Sequence, residues 1–194
     1  KFHSKSDRIY RVAWTQQRSD ELVKYAKVPF PVKQVILDEI PDVEKITRLY
    51  SSTKVGGAIN LKYEDKSFNE EYLFYADPNV FEVFDLPIII GDANTPLDDV
   101  NSIVLTESSA QRYFGNQNPI GKIIEFNNSH TLTVSAVMKD VPENSHLKFD
   151  FLVPVENLRK SWIKYYSYDF EEDWKWSGSW TYMLLKPNSN IANI

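Results

Sequence analysis

With 194 residues, 42% of them hydrophobic and 25% charged, the chain has the make-up of one large folded domain or two small ones, not of a disordered segment. A net charge of −5 without a basic block lacks the footprint that phosphate neutralisation requires, which argues against nucleic acid as a partner. The absence of cysteine removes disulfides, thiolate metal sites, iron–sulfur clusters and cysteine nucleophiles together, and leaves the compartment open.

Arg8–Trp14 is rich in β-formers and reads as one strand. Pro29 and Pro31 introduce a helix over 32–40, with Val32, Val35, Ile36 and Ile40 on one apolar face and Pro41 ending it. Val43–Tyr50 reads as the next strand, so the chain opens with a β-α-β unit. Ala58–Tyr63 alternates and is expected to pair with Tyr72–Tyr75 across a turn region at Glu64–Lys66. Asp77 and Pro78 suit the N-cap and first position of a short helix carrying Val80, Phe81, Val83 and Phe84. Leu86–Ile90 reads as a buried strand closed by Gly91-Asp92.

Ser102–Leu105 is a short strand leading into a helix that Thr106 caps, Glu107 favours electrostatically and Gly115 ends. Lys122–Phe126 and Thr131–Met138 form a hairpin across Asn127–Ser129, with Leu132, Val134, Ala136 and Met138 on one face. Phe149–Val155 is a further strand, Glu156–Tyr166 a helix, and Trp180–Leu185 the last strand. These patterns predict an α+β fold of two subdomains. Residues 1–52 and 147–194 form a split β-α-β subdomain, and 53–146 a mixed β/α subdomain inserted into it. The exchange points fall in the turn-rich stretches Ser51–Gly57 and Pro142–Lys148.

Catalytic patterns are weak. Gly115…Gly121-Lys122 superficially suggests a phosphate loop, but it has five intervening residues where four are needed, Ile123 where magnesium needs Ser or Thr, and Pro119 in the cradle. A helix stop running into a strand explains it better. Ser51-Ser-Thr-Lys54 and Ser161-Trp-Ile-Lys164 fit Ser-x-x-Lys without the companion elements of a penicillin-recognising enzyme, and no Gly-x-Ser-x-Gly elbow occurs. His3, His130 and His146 lack ligand spacing. His3 is expected in a flexible end, and structural roles suit all three better than metal or base roles. Asp169, Glu171, Glu172 and Asp173 lack the glycine-punctuated loop of an EF-hand, so a solvated acidic run is the expectation. No cofactor or metal is called for.

The segment 165–180 crowds Tyr165, Tyr166, Tyr168, Trp174, Trp176 and Trp180 together. Such side chains either fill a core or stack on a sugar, a lipid or a partner protein. Core filling is the simpler reading. If a ligand or partner surface exists, Trp174, Trp176 and Trp180 are its residues, with Trp174 and Trp176 expected to be exposed.

The longest apolar stretch, Leu86–Ile90, contains Pro87 and falls far short of the about 20 residues of a membrane-spanning helix. The polar Lys1–Asp7 is no signal peptide. A strand pattern beginning at once, with no initiator Met, is what a piece of a longer membrane-anchored chain would show.

Five phrases, in order, resemble the extracytoplasmic domain of MacB/FtsX-type ABC-transporter permeases, especially those of Bacteroidetes-like bacteria. Asp7-Arg-Ile-Tyr-Arg-Val12 is similar to the family's first strand beyond the membrane. Asp77-Pro-Asn-Val-Phe-Glu-Val-Phe-Asp85 with Gly91-Asp92 resembles its central segment. The most specific block is Ser102-Ile-Val-Leu-Thr-Glu-Ser-Ser-Ala110 with Tyr113-Phe-Gly115 and Asn118-Pro-Ile-Gly-Lys122. Val137-Met-Lys-Asp140, Pro142-Glu-Asn-Ser-His146 and Phe149-Asp-Phe151 follow, and Trp180-Thr-Tyr-Met-Leu-Leu-Lys186 resembles the last strand before the chain returns to the membrane.

The resemblance implies a non-catalytic domain on the periplasmic side of the inner membrane, flanked by transmembrane helices. Its two subdomains would be Porter-like (1–52 and 147–194) and Sabre-like (53–146). The implied partners are a cytoplasmic ABC ATPase, a second permease copy, and a periplasmic adaptor or substrate. The implied role is coupling ATP-driven motion to substrate export, lipoprotein extraction or activation of a periplasmic partner. The alternative left open by the residues alone is a free-standing carbohydrate- or peptide-binding domain using the late aromatic cluster.

Overall fold

A computed structural model describes residues 3–51 and 57–194 of the chain. In chain order the elements are β1 (Ile9–Arg11), β2 (Trp14–Arg18), β3 (Glu21–Tyr25), α1 (Val32–Glu39), β4 (Val43–Ser51), β5 (Ile59–Tyr63), β6 (Lys66–Glu70), β7 (Leu73–Ala76) and α2 (Val80–Val83). They continue as β8 (Ile88–Gly91), β9 (Ser102–Thr106), α3 (Glu107–Phe114), β10 (Ile123–Phe126), β11 (His130–Met138), β12 (Phe151–Pro154), α4 (Val155–Tyr166) and β13 (Trp180–Leu185). The fold is α+β. Contacts divide it into two compact units, one made of Lys1–Tyr50, Asn79–Asp85 and Arg159–Ile194, the other of Ser51–Pro78 and Leu86–Leu158.

The unit built from both ends of the chain centres on β13, which pairs antiparallel with β1 on one side and β4 on the other. Ile9 lies opposite Leu184, so the first and last strands bring the two ends of the chain side by side. Arg8 reinforces the junction: its backbone carbonyl accepts the Leu185 amide, and its guanidinium reaches Glu44 at 2.9 Å. Val43, Ile46, Met183 and Leu185 form a small core against which Tyr10, Val12, Ile36 and Ile40 pack. Helix α1 therefore uses only part of its expected face. Ile36 and Ile40 turn inward, whereas Val35 is exposed.

The inserted unit is a mixed sheet in the order β7-β12-β9-β11-β10-β5-β6, with β8 added beside β11. The β7/β12 and β9/β11 pairs are parallel, the rest antiparallel. The alternating face of β11 behaves as its sequence requires, with Leu132, Val134, Ala136 and Met138 all buried. Thr106 accepts the Ser109 amide as the N-cap of α3, and Gly115 ends the helix at φ 59°.

Several elements depart from their sequence-based expectations. Arg8–Trp14 is not one strand. β1 stops at Arg11, and Trp14 starts a separate hairpin with β3, turned at Ser19 with φ 49°. The partner of β5 is Lys66–Glu70, reached through a tight turn with Glu64 at φ 53°, and not Tyr72–Tyr75. That later segment is β7, which lies parallel to β12. Asn79, not Asp77, occupies the N-cap position of α2, and its side-chain amide donates to the Ile46 carbonyl at 2.8 Å. Asp77 is buried. β8 is half-exposed where a buried strand was expected, with Ile89 and Ile90 facing outward. His3 is not loose: its Nδ1 accepts the Asp85 amide at 3.1 Å.

The contact-defined units change over at 50/51, 78/79, 85/86 and 158/159, against 52/53 and 146/147 read from the sequence. Segment 79–85 joins the end-built unit because Asn79 bonds Ile46 and Phe84 packs edge-on against Tyr182. Residues 151–154 join the inserted unit because β12 pairs with β7 and β9. Much of the Ser51–Gly57 exchange segment and of Ser51-Ser-Thr-Lys54 (residues 52–56) lies outside the described residues.

Candidate functional site

The late aromatic segment belongs to the end-built unit. Helix α4 has Glu156 in its first turn and Lys164 in its last, matching the helix dipole. It stops where Ser167 turns to φ 51°, its amide bonding the Ile163 carbonyl at 3.0 Å. The loop from Ser167 to Ser179 then folds back, and its acidic residues hold it there. Asp169 takes a bidentate grip from Arg159, at 3.0 Å from Nε and 2.6 Å from Nη2, and also accepts the Glu171 amide. The Arg159 bonds hold the Asp169 carboxyl below its ordinary value.

Glu171 meets the buried Arg48 at 2.6 Å. Asp173 accepts the Tyr168 hydroxyl and, at 2.7 Å, the Lys175 amide. Burial, and then this bond to Asp173, pushes the Tyr168 phenol up to about 12. The acidic run is thus largely a set of fasteners rather than the solvated stretch its composition suggests. Among the described residues no group of His, Asp and Glu is placed to hold a metal ion.

These fasteners fold the loop over an aromatic cluster. Phe30 and Phe170, both fully buried, have ring centroids 4.3 Å apart. Trp176 stacks on Trp162 at 4.8 Å and on Phe30 at 5.4 Å, with Tyr50 edge-on to it. A Cβ at Gly178 would lie 2.7 Å from the Trp176 ring, so glycine is what lets the indole fold back onto its own loop.

The three tryptophans singled out from sequence therefore separate. Trp176 is half-buried in the cluster. Trp180 is half-buried in β13 with the Lys27 ammonium 4.2 Å from its ring centre. Trp174 alone of the three is exposed. Ile163, Tyr165 and Tyr166, at the end of α4, are exposed as well. The sequence signal for them is the run Trp162-Ile-Lys-Tyr-Tyr166, which offers more apolar side chains in a row than one buried helix face can take.

The inserted unit holds an open cavity of about 300 Å³ lined by Tyr72, Ser108, Asp140, Glu143, Lys148 and Asp150 among others. Ser108 places both its amide and its hydroxyl on Asp140, so this carboxylate secures the start of α3. Burial pushes the Asp150 carboxyl up. Deeper in the same unit the fully buried Tyr113 donates to Glu70 at 2.6 Å, and Arg112 closes on Glu70 at 2.7 Å.

The arrangement of fastened loops and paired chain ends coincides with a sequence match along all of residues 1–194 to the family described as the MacB-like periplasmic core domain. The chain belongs to that family. Solved structures of similar fold include a domain of a candidate permease protein from Porphyromonas gingivalis, 24% identical at a TM-score of 0.79 over 100% of this chain and 79% of that one. The periplasmic region of MacB from Actinobacillus actinomycetemcomitans is 22% identical at 0.62, over 86% of this chain and 68% of that one.

The extracellular domain of the ABC-type transporter YknZ from Gram-positive bacteria is 14% identical at 0.63, over 95% and 87%. No curated protein matches the chain. As a MacB-like periplasmic core domain, this chain is a two-subdomain α+β module of the transporter-permease class, which is not a class of enzymes. Among the described residues no helix is long and apolar enough to cross a membrane.

Proposed function

We propose that this MacB-like domain is the non-catalytic, extracytoplasmic part of an ABC-transporter permease, carried between two membrane helices on the outer side of the bacterial inner membrane. It couples ATP-driven motion of a cytoplasmic ATPase to a substrate or partner outside. The observation that carries this reading is the pairing of β1 with β13, which brings the two ends of the chain out side by side, as insertion between consecutive membrane segments requires. The unit built from the ends would be the Porter-like subdomain, and the inserted unit the Sabre-like one. A second permease copy would supply the opposing domain, and a periplasmic adaptor or cargo would meet a surface that includes the exposed Trp174.

The test uses the full-length permease reconstituted with its ATPase. The 194 residues contain no cysteine, so once any cysteine in the flanking parts of the permease is replaced by Ser, Asp65→Cys at the exposed β5–β6 turn takes a single spin label per copy. The label-to-label distance between copies should shift between the nucleotide-free and the ATP-trapped states. An unchanged distance distribution, with ATP hydrolysis intact, would remove the coupling role.

A further inference from the structure

We infer that the open cavity of the inserted unit binds a small zwitterion, a free α-amino acid or a dipeptide, with its ammonium between Asp140 and Asp150 and its carboxylate on Lys148. The coupling role does not call for such a site, and the site does not depend on that role. At about 300 Å³ the cavity stands at the small end of ligand clefts. Tyr72 at the start of β7, Ser108 in the first turn of α3, Asp140 and Glu143 after β11, and Lys148 and Asp150 before β12 line it.

The cavity holds opposite charges that do not meet. Asp140, Glu143, Asp150 and Lys148 share its lining, yet among the described residues no ion pair joins the lysine to any of the three acids. The side chains of Tyr72, Glu143, Lys148 and Asp150 make no hydrogen bond either. Asp150 is not free to swing toward a partner. Its backbone amide donates to the Tyr72 carbonyl at 2.8 Å, and its carbonyl accepts the Thr106 amide at 2.9 Å. Asp140 is pinned in turn by the Ser108 amide and hydroxyl. Burial first, and then the charge of Asp140 among its neighbours, pushes the Asp150 carboxyl up. Two fixed carboxylates, one of them partly stripped of water, are best relieved by a cation that donates hydrogen bonds to both.

The surrounding charges keep that preference. Arg112 also acts on Asp150, but it is paired with Glu70 at 2.7 Å, and the two push Asp150 in opposite directions. Of the exposed neighbours along the chain, Glu71 and Glu107 outnumber Lys139. A bare metal ion is not the fit, since among the described residues no group of His, Asp and Glu is placed to hold one. Lys148 decides the rest. It would repel a simple amine, whereas a ligand that also carries a carboxylate turns it into a partner. The Tyr72 ring, 49% exposed, and the Phe149 ring supply an apolar wall for the ligand's side chain.

Isothermal titration of the 194-residue chain with leucyl-leucine tests the assignment. Leucine, N-acetyl-leucyl-leucine (no ammonium) and leucyl-leucine amide (no carboxylate) are titrated beside it. The dipeptide should bind, and each blocked form should bind about tenfold more weakly. Asp150→Asn and Lys148→Gln should each lower the dipeptide's affinity about tenfold, with different signatures. Lys148→Gln should bind the dipeptide and its amide alike, and Asp150→Asn should no longer prefer the dipeptide over the N-acetyl form. Lys24→Gln, exposed on the other unit, should change nothing. Urea midpoints at or above the wild-type value in both cavity variants separate lost binding from lost fold.

Leucine matching the dipeptide would assign the site to free amino acids, and a preference for the dipeptide would assign it to short peptides. Either result supports the inference. No binding of either zwitterion, or blocked forms that bind as tightly as the dipeptide, overturns it and leaves the coupling role standing.

Discussion

Replacing Glu171 by Gln removes the carboxylate that faces Arg48, and the size of the effect follows from where the two groups sit. Arg48 is 5% exposed, with its guanidinium 5.2 Å from the Phe30 ring centre and a bond of 3.2 Å to the Phe30 carbonyl. Taking the counter-ion from a buried charge costs about 3–5 kcal/mol. The Glu171 side chain is 25% exposed, so water reaches its end of the pair and the cost falls below that range, to about 2–3 kcal/mol for Glu171→Gln.

Arg48→Met leaves behind only the more accessible carboxylate and should cost less, about 1–2 kcal/mol. The double substitution leaves no stranded charge and should be less destabilised than the sum of the two, with a coupling of about 1–2 kcal/mol. For a chain of this length the glutamine variant should melt about 5–10 °C lower. Trp162 and Trp176, stacked at the site, report the transition by fluorescence during urea unfolding. Additive single substitutions, or a Glu171→Gln cost below about 0.5 kcal/mol, would show that the loop is not held by this pair.

Other substitutions probe the rest of the molecule. Tyr113→Phe removes the 2.6 Å bond to Glu70 from a fully buried position, and the urea midpoint should report a loss of about 1.5–3 kcal/mol. Asp150 has its carboxyl raised by burial, so the fold prefers it protonated and its ionisation is a burden that grows as pH rises above 3.8. Asp150→Asn should therefore raise the melting temperature at neutral pH, a gain that vanishes below pH 3.8. Asp169, depressed by Arg159, has the opposite sign: its contribution is complete well above 3.8 and is lost as pH falls below it. Asp169→Asn should accordingly flatten the acid limb of a stability-against-pH curve. Gly178→Ala drives a methyl into the Trp176 ring, and the tryptophan emission should shift toward that of exposed indole even if the unfolding midpoint moves little.

What the sequence made legible was local. The Thr106 cap and Gly115 stop of α3, the β10–β11 hairpin and the bounds of β13 all follow from residue type and period. The elements that escaped owe their form to partners far along the chain. Lys66–Glu70 reads as polar because its inward Glu70 is neutralised by Arg112 and bonded by Tyr113, 42 and 43 positions away. The hairpin β2–β3 carries Gln, Arg, Glu and Lys on strands that bury little, so alternation gave no signal.

Asp169 and Glu171 look like a solvated run until Arg159 and Arg48, the second 123 positions distant, are brought beside them. The same loop decided the site. Composition could gather three tryptophans but not foresee that Gly178 lets Trp176 turn inward and leaves Trp174 outside. The family, by contrast, was legible, because ordered phrases of caps and turns persist where no active-site motif exists.

The proposed coupling role also makes sense of how the ends are built. Three residue pairs join β1 to β13, a short ladder to carry force on its own. Arg8 supplements it by bonding both the Leu185 backbone and the Glu44 side chain, so the first strand is tied to the two strands beyond it. Because β13 lies between β1 and β4, a displacement applied at either end of the chain is shared by the ladder of six pairs between β13 and β4. Under that load the end-built unit would move as one body and not unzip at its margin. Arg8→Ala in the full permease should then leave ATP hydrolysis in place while shrinking the nucleotide-dependent distance change between copies. A full-sized change in that variant would mean that the motion enters the domain by another route.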